Sequence, residues 1–338
     1  MIRHVVSGLA AAAFATVAMA QPDPFGRPFV PSERNRGITL GLDDRLASLG
    51  QKLFFDARLS GTGATACASC HDPGYAFAEP RPVSVSDSRQ LGRRNAPSLL
   101  DVGFLPTLMW DGRFRTLEQQ ALSPFQRGEM GIGVDHAVQR VSSDPQYVQH
   151  FRAALGRRPT ADGMARALAA FQRTLISPVS RVDRFLMYNE PAVLTPLEQH
   201  GFYVFTQRAP CSNCHQLFPL RPDGKVYSRP LLTDFRFHNL GIGYRFGGFA
   251  DTGRYGLSHL IAEWGAFRTP SLRNSARTPP YMHDGSLATL EDVVEFYNGG
   301  GLPNPNLSPL IRPLFLDGYE KAALVAFLRA LSDPDCEC

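Results

Sequence analysis

Apolar residues recur at every third or fourth position in several stretches of this chain, which is the spacing of one buried helix face. The clearest series starts after Thr160, a helix-capping residue, and Pro178 ends or kinks it. Four apolar side chains lie on the predicted face of this helix: Met164, Leu168, Phe171 and Leu175. Strict alternation of apolar and polar residues, the pattern of a strand, is rare. The pattern therefore predicts a mainly α-helical fold.

Further segments show the helical spacing and are bounded by start and stop signals. Thr289 is a helix cap, and the pair Asn298-Gly299 is a helix stop. Residues 72–108 show no period, which predicts a long loop with a function. The other predicted helices are 43–54, 116–122, 135–140, 145–155, one that begins at Thr195-Pro196, and a final helix over 324–331.

The first twenty residues have the pattern of an export signal. A basic start precedes an apolar run over residues 5–17, and Ala18-Met-Ala20 has the small residues of a cleavage site. The run is too short to span a bilayer. We predict a signal peptide over 1–20, a Pro- and Gly-rich extended arm over 21–40, and a mature protein in the periplasm without a membrane span.

The sequence C-x-x-C-H occurs twice, at residues 67–71 and 211–215. In an exported protein this is the attachment signature of c-type haem, with two thioether bonds from the cysteines and an axial histidine on the iron. A zinc site or a thiol redox pair is the alternative, and the repetition of the histidine makes it the weaker one. The predicted attachment residues are Cys67, Cys70, His71, Cys211, Cys214 and His215.

Both motifs follow an apolar helix and a short loop, so the chain repeats one plan as two cytochrome-like domains would. We predict an N-terminal haem domain over 41–190 and a C-terminal haem domain over 191–335. Cys336 and Cys338 remain, and they form a strained disulfide, bind a metal or belong to a tail without a role. The formal net charge of +4 is modest and no basic run occurs, so binding to nucleic acid is not predicted.

The second axial position of each iron decides between electron transfer and catalysis. Near the first motif, residues 72–135 contain no histidine, and Met109 and Met130 are the nearest thioethers. His136 and His150 follow later, so an open first site is predicted. For the second iron the candidate ligands are His238, His259, Met282, His283 and Tyr297.

Further motifs are spread over nearly the whole mature chain, at residues 67–71, 94–97, 110–113, 117–121 with Pro124, 129–131, 211–215, 268–270, 272–274 and 278–285. Together they resemble the bacterial di-haem cytochrome c peroxidases, and within them the MauG-like branch. The resemblance implies two helical c-type domains that face each other across an interface.

The same resemblance implies a calcium ion and an electron path between the two haems. The calcium ligands correspond to Asn95 and to the backbone carbonyls of Thr278 and Pro280, and oxygen donors suit this hard cation. Trp110 corresponds to the tryptophan through which the family passes electrons, although an aromatic residue at an interface can also serve packing alone.

In this family the first haem binds peroxide. Glu129 corresponds to the distal carboxylate that moves the protons of peroxide, and Gln120 and Pro124 correspond to residues beside it. Ordinary peroxidases often carry a blocking histidine in the stretch that is 72–92 here, and this chain has none. Tyr297 stands where those enzymes have an axial methionine, as in MauG, and a phenolate oxygen stabilises the higher oxidation states of iron.

The resemblance leaves three functions open. The first is a MauG-like oxidase that uses hydrogen peroxide to modify Trp or Tyr of a protein substrate through a high-valent state of both haems, as a monomer or homodimer. The second is a conventional peroxidase that draws electrons from a small cytochrome or cupredoxin, and the third is a non-catalytic electron carrier. MauG has a relay tryptophan where this chain has Ala209, so the partner need not be methylamine dehydrogenase. MauG relatives that oxidise copper-binding partner proteins are an alternative.

Overall fold

The computed structural model describes residues 44–126, 128–221 and 223–332. The predicted signal peptide, the arm over 21–40 and the pair Cys336 and Cys338 lie outside these residues. Within them the structure is mainly helical, as the apolar periodicity predicts. None of its helices has both the length and the apolar composition needed to cross a membrane.

Ten α-helices are present in the described residues, and they are connected by 3-10 turns and irregular segments. Their bounds are α1 Asp44–Phe55, α2 Leu117–Gln126, α3 Val134–Ser143, α4 Pro145–Leu155, α5 Ala161–Thr174, α6 Arg181–Met187, α7 Pro196–Tyr203, α8 Tyr255–Ser258, α9 Leu290–Asn298 and α10 Gly318–Ala330.

Local end signals account for several of these bounds. Helix α4 starts at Pro145, where the Asp144 carboxylate accepts backbone N–H groups, and it ends at Gly156 with a positive φ of 67°. Helix α5 is capped by Thr160 as predicted, and it ends at Thr174, before Pro178. Each of these helices therefore has both ends encoded in neighbouring residues.

Helix α2 extends beyond the predicted bound of residue 122. It continues to Gln126 and contains Pro124 in its interior. Proline removes one backbone donor from a helix, which is a local cost. The last turn nevertheless buries Phe125 against the first core, and this packing outweighs the local signal.

Strands are few in the described residues, and the predicted long loop between α1 and α2 has only 3-10 turns and isolated bridges. Strands β1 Phe237–Asn239 and β4 Ala266–Arg268 pair antiparallel, with His238 opposite Phe267. Strands β2 Tyr244–Arg245 and β3 Gly248–Phe249 form a second antiparallel pair.

Two hydrophobic cores are present, one in each half of the chain. The first is built from residues between Leu49 and Leu175, and the second from residues between Val182 and Leu331. Val182 belongs to α6, so this helix packs with the second core although the predicted domain boundary follows residue 190. That boundary stays a prediction.

Each core is centred on two helices that cross at a glycine. A Cβ atom at Gly50 of α1 would lie 1.9 Å from the carbonyl oxygen of Ala167 in α5. A Cβ atom at Gly201 of α7 would lie 2.0 Å from the carbonyl oxygen of Ala323 in α10. Only glycine permits these approaches, and α1 and α7 lead into the two C-x-x-C-H motifs.

Candidate functional site

The two motif histidines have the same local geometry. Nδ1 of His71 lies 3.1 Å from the carbonyl oxygen of Phe77, and Nδ1 of His215 lies 3.0 Å from that of Leu232. A carbonyl only accepts, so each Nδ1 carries the proton and each Nε2 has its lone pair for a metal. Burial lowers the pKa of both imidazoles, which keeps them neutral.

The motif cysteines are free thiols in the structure, without a disulfide within either pair. Burial raises the pKa of Cys67 to about 12, of Cys70 to about 11 and of Cys211 to about 12. Redox cysteines and zinc ligands depend on a stabilised thiolate, which these pockets disfavour. The surroundings fit thioether attachment better than thiol redox chemistry.

Tyr297 lies on α9 beside the second motif. Burial raises the pKa of its phenol, and the nearby sulfurs of Cys214 and Cys211 raise this pKa further. Among the five candidate ligands of the second iron, Tyr297 therefore combines an oxygen donor with a position next to both attachment cysteines.

The other candidates have different surroundings. His238 holds the Asp234 carboxylate at 2.9 Å through Nε2, and the hydrogen bond to Asp234 is the main reason that its pKa is raised to about 9. His259 is the C-cap residue that follows α8, and its ring contacts Tyr255. His283 stacks on Phe267 with ring centroids 3.6 Å apart.

His238, Asp234 and Cys214 also form a group with metal-ligand spacing, with their ligand atoms within 4.8 Å of one another. Cys214 is a predicted attachment cysteine, and a thioether sulfur would be a poor metal ligand. We therefore interpret His238 and Asp234 as an ion pair beside the second motif. The sequence contained His238 as a candidate, but nothing in it indicated the pairing with Asp234.

The predicted peroxide-site residues are brought together around the end of α2. Gln120 and Pro124 lie on this helix and are both half-buried. The chain then folds back, because the Met130 N–H donates to the carbonyl oxygen of Pro124 at 3.2 Å. This hydrogen bond holds Glu129, the residue before Met130, close to Pro124.

The buried Asp87 holds the loop that carries Glu129 in place through hydrogen bonds. The Asp87 N–H donates to the carbonyl oxygen of Glu129 at 2.8 Å, and the Asp87 carboxylate accepts the N–H and hydroxyl of Thr62 at 2.8 and 2.6 Å. The hydrogen bonds from Thr62 lower the pKa of Asp87 to about 2. The Glu129 side chain itself is exposed.

Trp110 lies where the two halves meet, as the resemblance implies. Its Nε1 donates to the carbonyl oxygen of Asn95 at 2.8 Å, and its own carbonyl oxygen accepts the N–H of Arg268 at 2.8 Å. Its indole contacts the imidazole of His283 edge to face, with ring centroids 6.5 Å apart. Trp110 is thus bonded to both halves and held in one orientation.

Asn95 is buried and connects to the segment that contains the other predicted calcium ligands. Its N–H donates to the carbonyl oxygen of His283 at 2.8 Å. Its Nδ2 donates to the carbonyl oxygens of Glu79 and Arg81 at 3.0 and 2.8 Å, which turns Oδ1 away from them. An amide oxygen with the backbone carbonyls of Thr278 and Pro280 is a donor set that fits a calcium ion.

The surroundings of Arg268 indicate whether the interface suits an anionic prosthetic group. Only 4% of this arginine is exposed, and its guanidinium bonds the carbonyl oxygens of Met109 and Thr269. Within the described residues no carboxylate pairs with this guanidinium, and burial lowers its pKa to about 10. A buried, unneutralised cation is costly, and a haem propionate has the charge and the planar oxygen pair that it needs.

Two further contacts between the halves were not foreseen from the sequence. The Arg94 guanidinium holds Asp251 through two hydrogen bonds of 2.7 and 2.8 Å and Asp111 through one of 2.7 Å. It also lies over the ring of Phe267, which stacks on His283. Arg94 and Asp251 are far apart along the chain, so no sequence periodicity could reveal their pairing.

Comparison with known proteins identifies the family. Residues 44–191 match the family model of the di-haem cytochrome c peroxidases. The methylamine utilization protein MauG of Methylorubrum extorquens is 33% identical, over 97% of this chain and 90% of its own. The cytochrome-c peroxidase IdrP2 of Denitromonas iodatirespirans is 35% identical, over 85% of this chain and 81% of its own.

A crystal structure of a MauG-like protein associated with microbial copper homeostasis has the same fold, with a TM-score of 0.77 and 33% identity over 96% of each chain. The chain therefore belongs to the di-haem cytochrome c peroxidase family, which includes MauG. It is a haem peroxidase that acts on hydrogen peroxide, and membership implies two c-type haems. This excludes the non-catalytic electron carrier among the three functions.

Proposed function

We propose that the protein is a MauG-like periplasmic enzyme that uses hydrogen peroxide to oxidise Trp or Tyr of a protein substrate through a high-valent state of both haems. One observation carries this proposal. Tyr297 lies beside the second attachment motif on α9, and the corresponding residue of the first half is Pro124 on α2. The proline side chain has no ligand atom and would leave the first iron open, whereas the phenol oxygen of Tyr297 would be a ligand for the second.

A haem held by His71 would supply the redox chemistry of the first site, and residues of this chain handle the protons of peroxide. Glu129 accepts a proton from the near oxygen and returns one to the leaving oxygen, which is the role of a general acid and base. Gln120 orients the oxygen pair by hydrogen bonding, and Pro124 keeps the space above the iron free. Trp110 offers an aromatic path between the two sites.

His71 and His215 would hold the two irons through Nε2, and Cys67, Cys70, Cys211 and Cys214 would attach the porphyrins. Asn95, Thr278 and Pro280 would hold the calcium ion, which would fasten the two halves near Trp110. The domain division at residues 190 and 191, the signal peptide over 1–20 and a monomeric or homodimeric state are part of the same proposal.

A spectroscopic measurement tests the asymmetry. The as-isolated diferric holoprotein is expected to show one high-spin and one low-spin haem in electron paramagnetic resonance. Tyr297→Phe changes the low-spin signal, because it removes the sixth ligand. Tyr281→Phe is the matched control, since the Tyr281 hydroxyl bonds the carbonyl oxygen of Ser275 in the same half. Two low-spin haems in the unaltered protein contradict the proposal.

A kinetic measurement tests the proton-transfer role. Glu129→Gln keeps the shape of the side chain but removes its basicity, and we expect peroxide to react about 10²- to 10⁴-fold more slowly. The control is Glu291→Gln. Glu291 lies on α9, is exposed and forms a surface ion pair with Arg329 of α10. Equal rates for the two variants in stopped-flow absorption would show that Glu129 is a surface residue without a role in proton transfer.

The second candidate is a conventional peroxidase that takes electrons from a small cytochrome or cupredoxin. It is favoured by the 35% identity to a protein named cytochrome-c peroxidase and by Ala209, which is buried and stands where MauG has its relay tryptophan. Steady turnover with a reduced small cytochrome supports this candidate. Peroxide-dependent mass changes at Trp or Tyr of a co-encoded protein support the first, and a copper-binding substrate would agree with the copper-associated structural relative.

A further inference from the structure

A buried aspartate in the long loop of the first half connects two segments of the proposed peroxide site. Asp87 is 5% exposed and lies in a turn over residues 84–92, which a backbone hydrogen bond of 2.7 Å from Gly92 to Ser84 closes. This turn is bonded to residues 128–131, which we name the acid loop because it carries the proposed distal acid. The turn therefore lies beside the residue to which the proposed function assigns proton transfer.

The peptide group between Glu129 and Met130 is bonded at both of its polar ends. Its carbonyl oxygen accepts the Asp87 N–H at 2.8 Å, and its N–H donates to the carbonyl oxygen of Pro124 at 3.2 Å. The next carbonyl oxygen, that of Met130, accepts the Gly61 N–H at 2.8 Å. A peptide group bonded at both ends cannot rotate without losing a hydrogen bond, so the backbone from which the Glu129 side chain extends is fixed.

The carboxylate of Asp87 connects the acid loop to the segment that precedes the first attachment motif. Its Oδ2 accepts the Thr62 N–H at 2.8 Å, and its Oδ1 accepts the Thr62 hydroxyl at 2.6 Å. Thr62 precedes Cys67 by five positions in the sequence. A Cβ atom at Gly131 of the acid loop would lie 2.6 Å from Oδ2, so the carboxylate fills the space between the two segments. Asp87 therefore sets how far the acid loop lies from the chain that carries the first motif.

The segment that Asp87 binds is itself held by hydrogen bonds. Arg140 of α3 donates to the carbonyl oxygens of Ser60 and Gly61. The Ser60 hydroxyl oxygen accepts the Thr65 N–H at 3.1 Å, and the first attachment motif begins two positions after Thr65. The contact of Asp87 therefore ends on a fixed part of the first half, so it can hold the acid loop in one position.

The Asp87 carboxylate acts as a hydrogen-bond acceptor rather than as half of an ion pair. In the part of the chain that the structure describes, no cationic side chain pairs with it, and the hydrogen bonds from Thr62 are the main reason for its low pKa of about 2. A carboxylate with both oxygens bonded to one residue is fixed in direction as well as in position. The contribution of Asp87 to the acid loop is therefore geometric.

We propose that Asp87 is a positioning residue for the reaction with peroxide, because its hydrogen bonds hold the acid loop where Glu129 can exchange protons with the bound peroxide. The inference rests on the proposed function, which assigns these proton transfers to Glu129. A general acid or base must lie within hydrogen-bond distance of the proton that it moves. A displacement of about 1 Å can lower the rate about a hundredfold. Asp87 exchanges no proton itself and acts through Glu129.

Two substitutions of Asp87 in the holoprotein test this role, with the reaction with hydrogen peroxide followed by stopped-flow absorption. Asp87→Ala removes both bonds to Thr62, and we expect the reaction to slow by about 10- to 100-fold. Asp87→Asn is the conservative variant, because its amide oxygen can accept the Thr62 N–H and its amide nitrogen can donate to the Thr62 hydroxyl. We expect Asp87→Asn to restore the rate of the unaltered protein.

A double-variant cycle tests whether Asp87 acts through Glu129. In the Glu129→Gln protein the proton-transfer group is already absent, so the further change Asp87→Ala is expected to slow the reaction no more. A general disturbance of the first half would slow the reaction by the same factor in both backgrounds. The cycle therefore distinguishes a positioning role from a merely structural one.

Asp144→Ala is the matched control. Asp144 is another hydrogen-bonded carboxylate of the first half, but it caps α4 by accepting the N–H groups of Gln146 and Tyr147. Its loss is expected to leave the rate with peroxide unchanged. If Asp87→Ala does not fold with its haems, Thr62→Val replaces it in the comparison, with Thr62→Ser as its control. Thr62→Val removes one of the two bonds, and we expect a reaction that is about two- to tenfold slower.

Three results would overturn the positioning role. The first is an Asp87→Ala protein that reacts as fast as the unaltered one, and the second is an Asp87→Asn protein as slow as Asp87→Ala. The third is an equal slowing by Asp87→Ala with and without Glu129→Gln. In each case a slow Glu129→Gln protein leaves the proposed function standing. A Glu129→Gln protein that reacts at the full rate would overturn the proposed proton transfer and the role of Asp87 together.

Discussion

In the first half of the chain α1 crosses α5 at Gly50, and in the second half α7 crosses α10 at Gly201. The correspondence between the two halves continues beyond the attachment motifs. Helix α2 begins at Leu117 and α9 begins at Leu290, 173 positions later, and the same shift relates residues 95–126 to 268–299 without a gap. The two halves are therefore one structural unit used twice.

Special backbone conformations obey the same shift. Met109 and Met282 have φ angles of +70° and +72°, and Asp101 and Asn274 have φ angles of +61° and +57°. These left-handed conformations are uncommon outside glycine, so their agreement in pairs reflects a shared scaffold.

The halves differ at a few side chains on this shared scaffold. Pro124 corresponds to Tyr297, Trp110 to His283 and Leu100 to Arg273. In the proposed function the first pair leaves the first iron open and closes the second. The second pair meets edge to face between the halves. The comparison teaches that one scaffold gives both motif histidines the same surroundings, while single side chains facing them differ between the halves. In the proposed function these differences divide the labour between two sites.

The largest effect is expected when the first half receives the distal residue of the second. Pro124→Tyr places a phenol where peroxide would bind at the first site. We expect the reaction with peroxide to slow by more than about a hundredfold, because peroxide that does not bind cannot exchange protons with Glu129. Stopped-flow absorption and electron paramagnetic resonance measure the loss of the reaction and of the high-spin signal. Pro124→Ala is the control and should keep both. A fast peroxide reaction in Pro124→Tyr would mean that α2 and α9 are not functionally equivalent.

The second effect concerns Arg273, a buried cation that the second half has where the first half has Leu100. The Arg273 guanidinium donates to both Asp183 oxygens at 2.6 and 2.7 Å and lies 3.2 Å from an oxygen of Asp101. Burial raises the pKa of Asp183, but the charge of Arg273 and its hydrogen bonds outweigh it and keep the pKa below its ordinary value. Arg273→Leu, the residue of the first half, removes the cation bonded to the buried Asp183, whereas Asp101 keeps Arg229 at 3.2 Å. The loss should cost about 3–5 kcal/mol of unfolding free energy.

Thermal unfolding of the holoprotein measures this cost. Arg184→Leu is the control, because Arg184 and Glu190 form an exposed pair that is worth about 0–1 kcal/mol. Similar melting temperatures for the two variants would show that the buried network adds nothing to stability.

The sequence predicted the parts of this molecule that depend on neighbouring residues. Helix α4 agrees with its predicted bounds because Asp144, Pro145 and Gly156 encode both of its ends. The C-x-x-C-H spacing predicts the attachment residues for the same reason, because the motif lies within five consecutive residues. The end of α2 was underestimated because burial of Phe125 overrides a local proline signal.

Contacts between distant residues could not be predicted in this way. The pairing of Arg94 with Asp251 and the stacking of Phe267 on His283 depend on how the two halves meet. Of the predicted site, the structure brings Gln120, Pro124 and Glu129 to one end of α2, which a resemblance alone could only imply.

The third effect is a pH dependence of the protein's stability, caused by His283 at the contact between the halves. Burial lowers the pKa of His283 to about 4, with Arg94 adding to the effect and the carboxylates of Asp284 and Asp251 opposing it. The unfolded chain binds this proton below about pH 6.5, whereas the folded protein does not until about pH 4. Stability therefore falls as the pH is lowered through this window, by about 1 kcal/mol between pH 6.5 and 5.5.

His283→Phe keeps a ring on Phe267 and should remove this part of the pH dependence in a series of melting curves. His136→Gln is the control, because His136 is exposed on α3. If the melting temperature of His283→Phe fell with pH as steeply as that of the unaltered protein, other groups would be responsible for the loss of stability.

The smallest effect compares the corresponding helix caps. Thr289 accepts the N–H of Asp292, and the Asp292 carboxylate accepts the N–H and hydroxyl of Thr289, which is a complete capping box on α9. The corresponding Thr116 accepts the N–H of Gln119 at 3.2 Å, and the shift places Gln119 where the second half has Asp292. Thr289→Ala should cost about 1 kcal/mol and Thr116→Ala about half of that, since one reciprocal bond is lost in the first case only. Hydrogen exchange at the first turns of α2 and α9 measures the difference, and equal exchange would show that the reciprocal bond of Asp292 contributes nothing to the stability of α9.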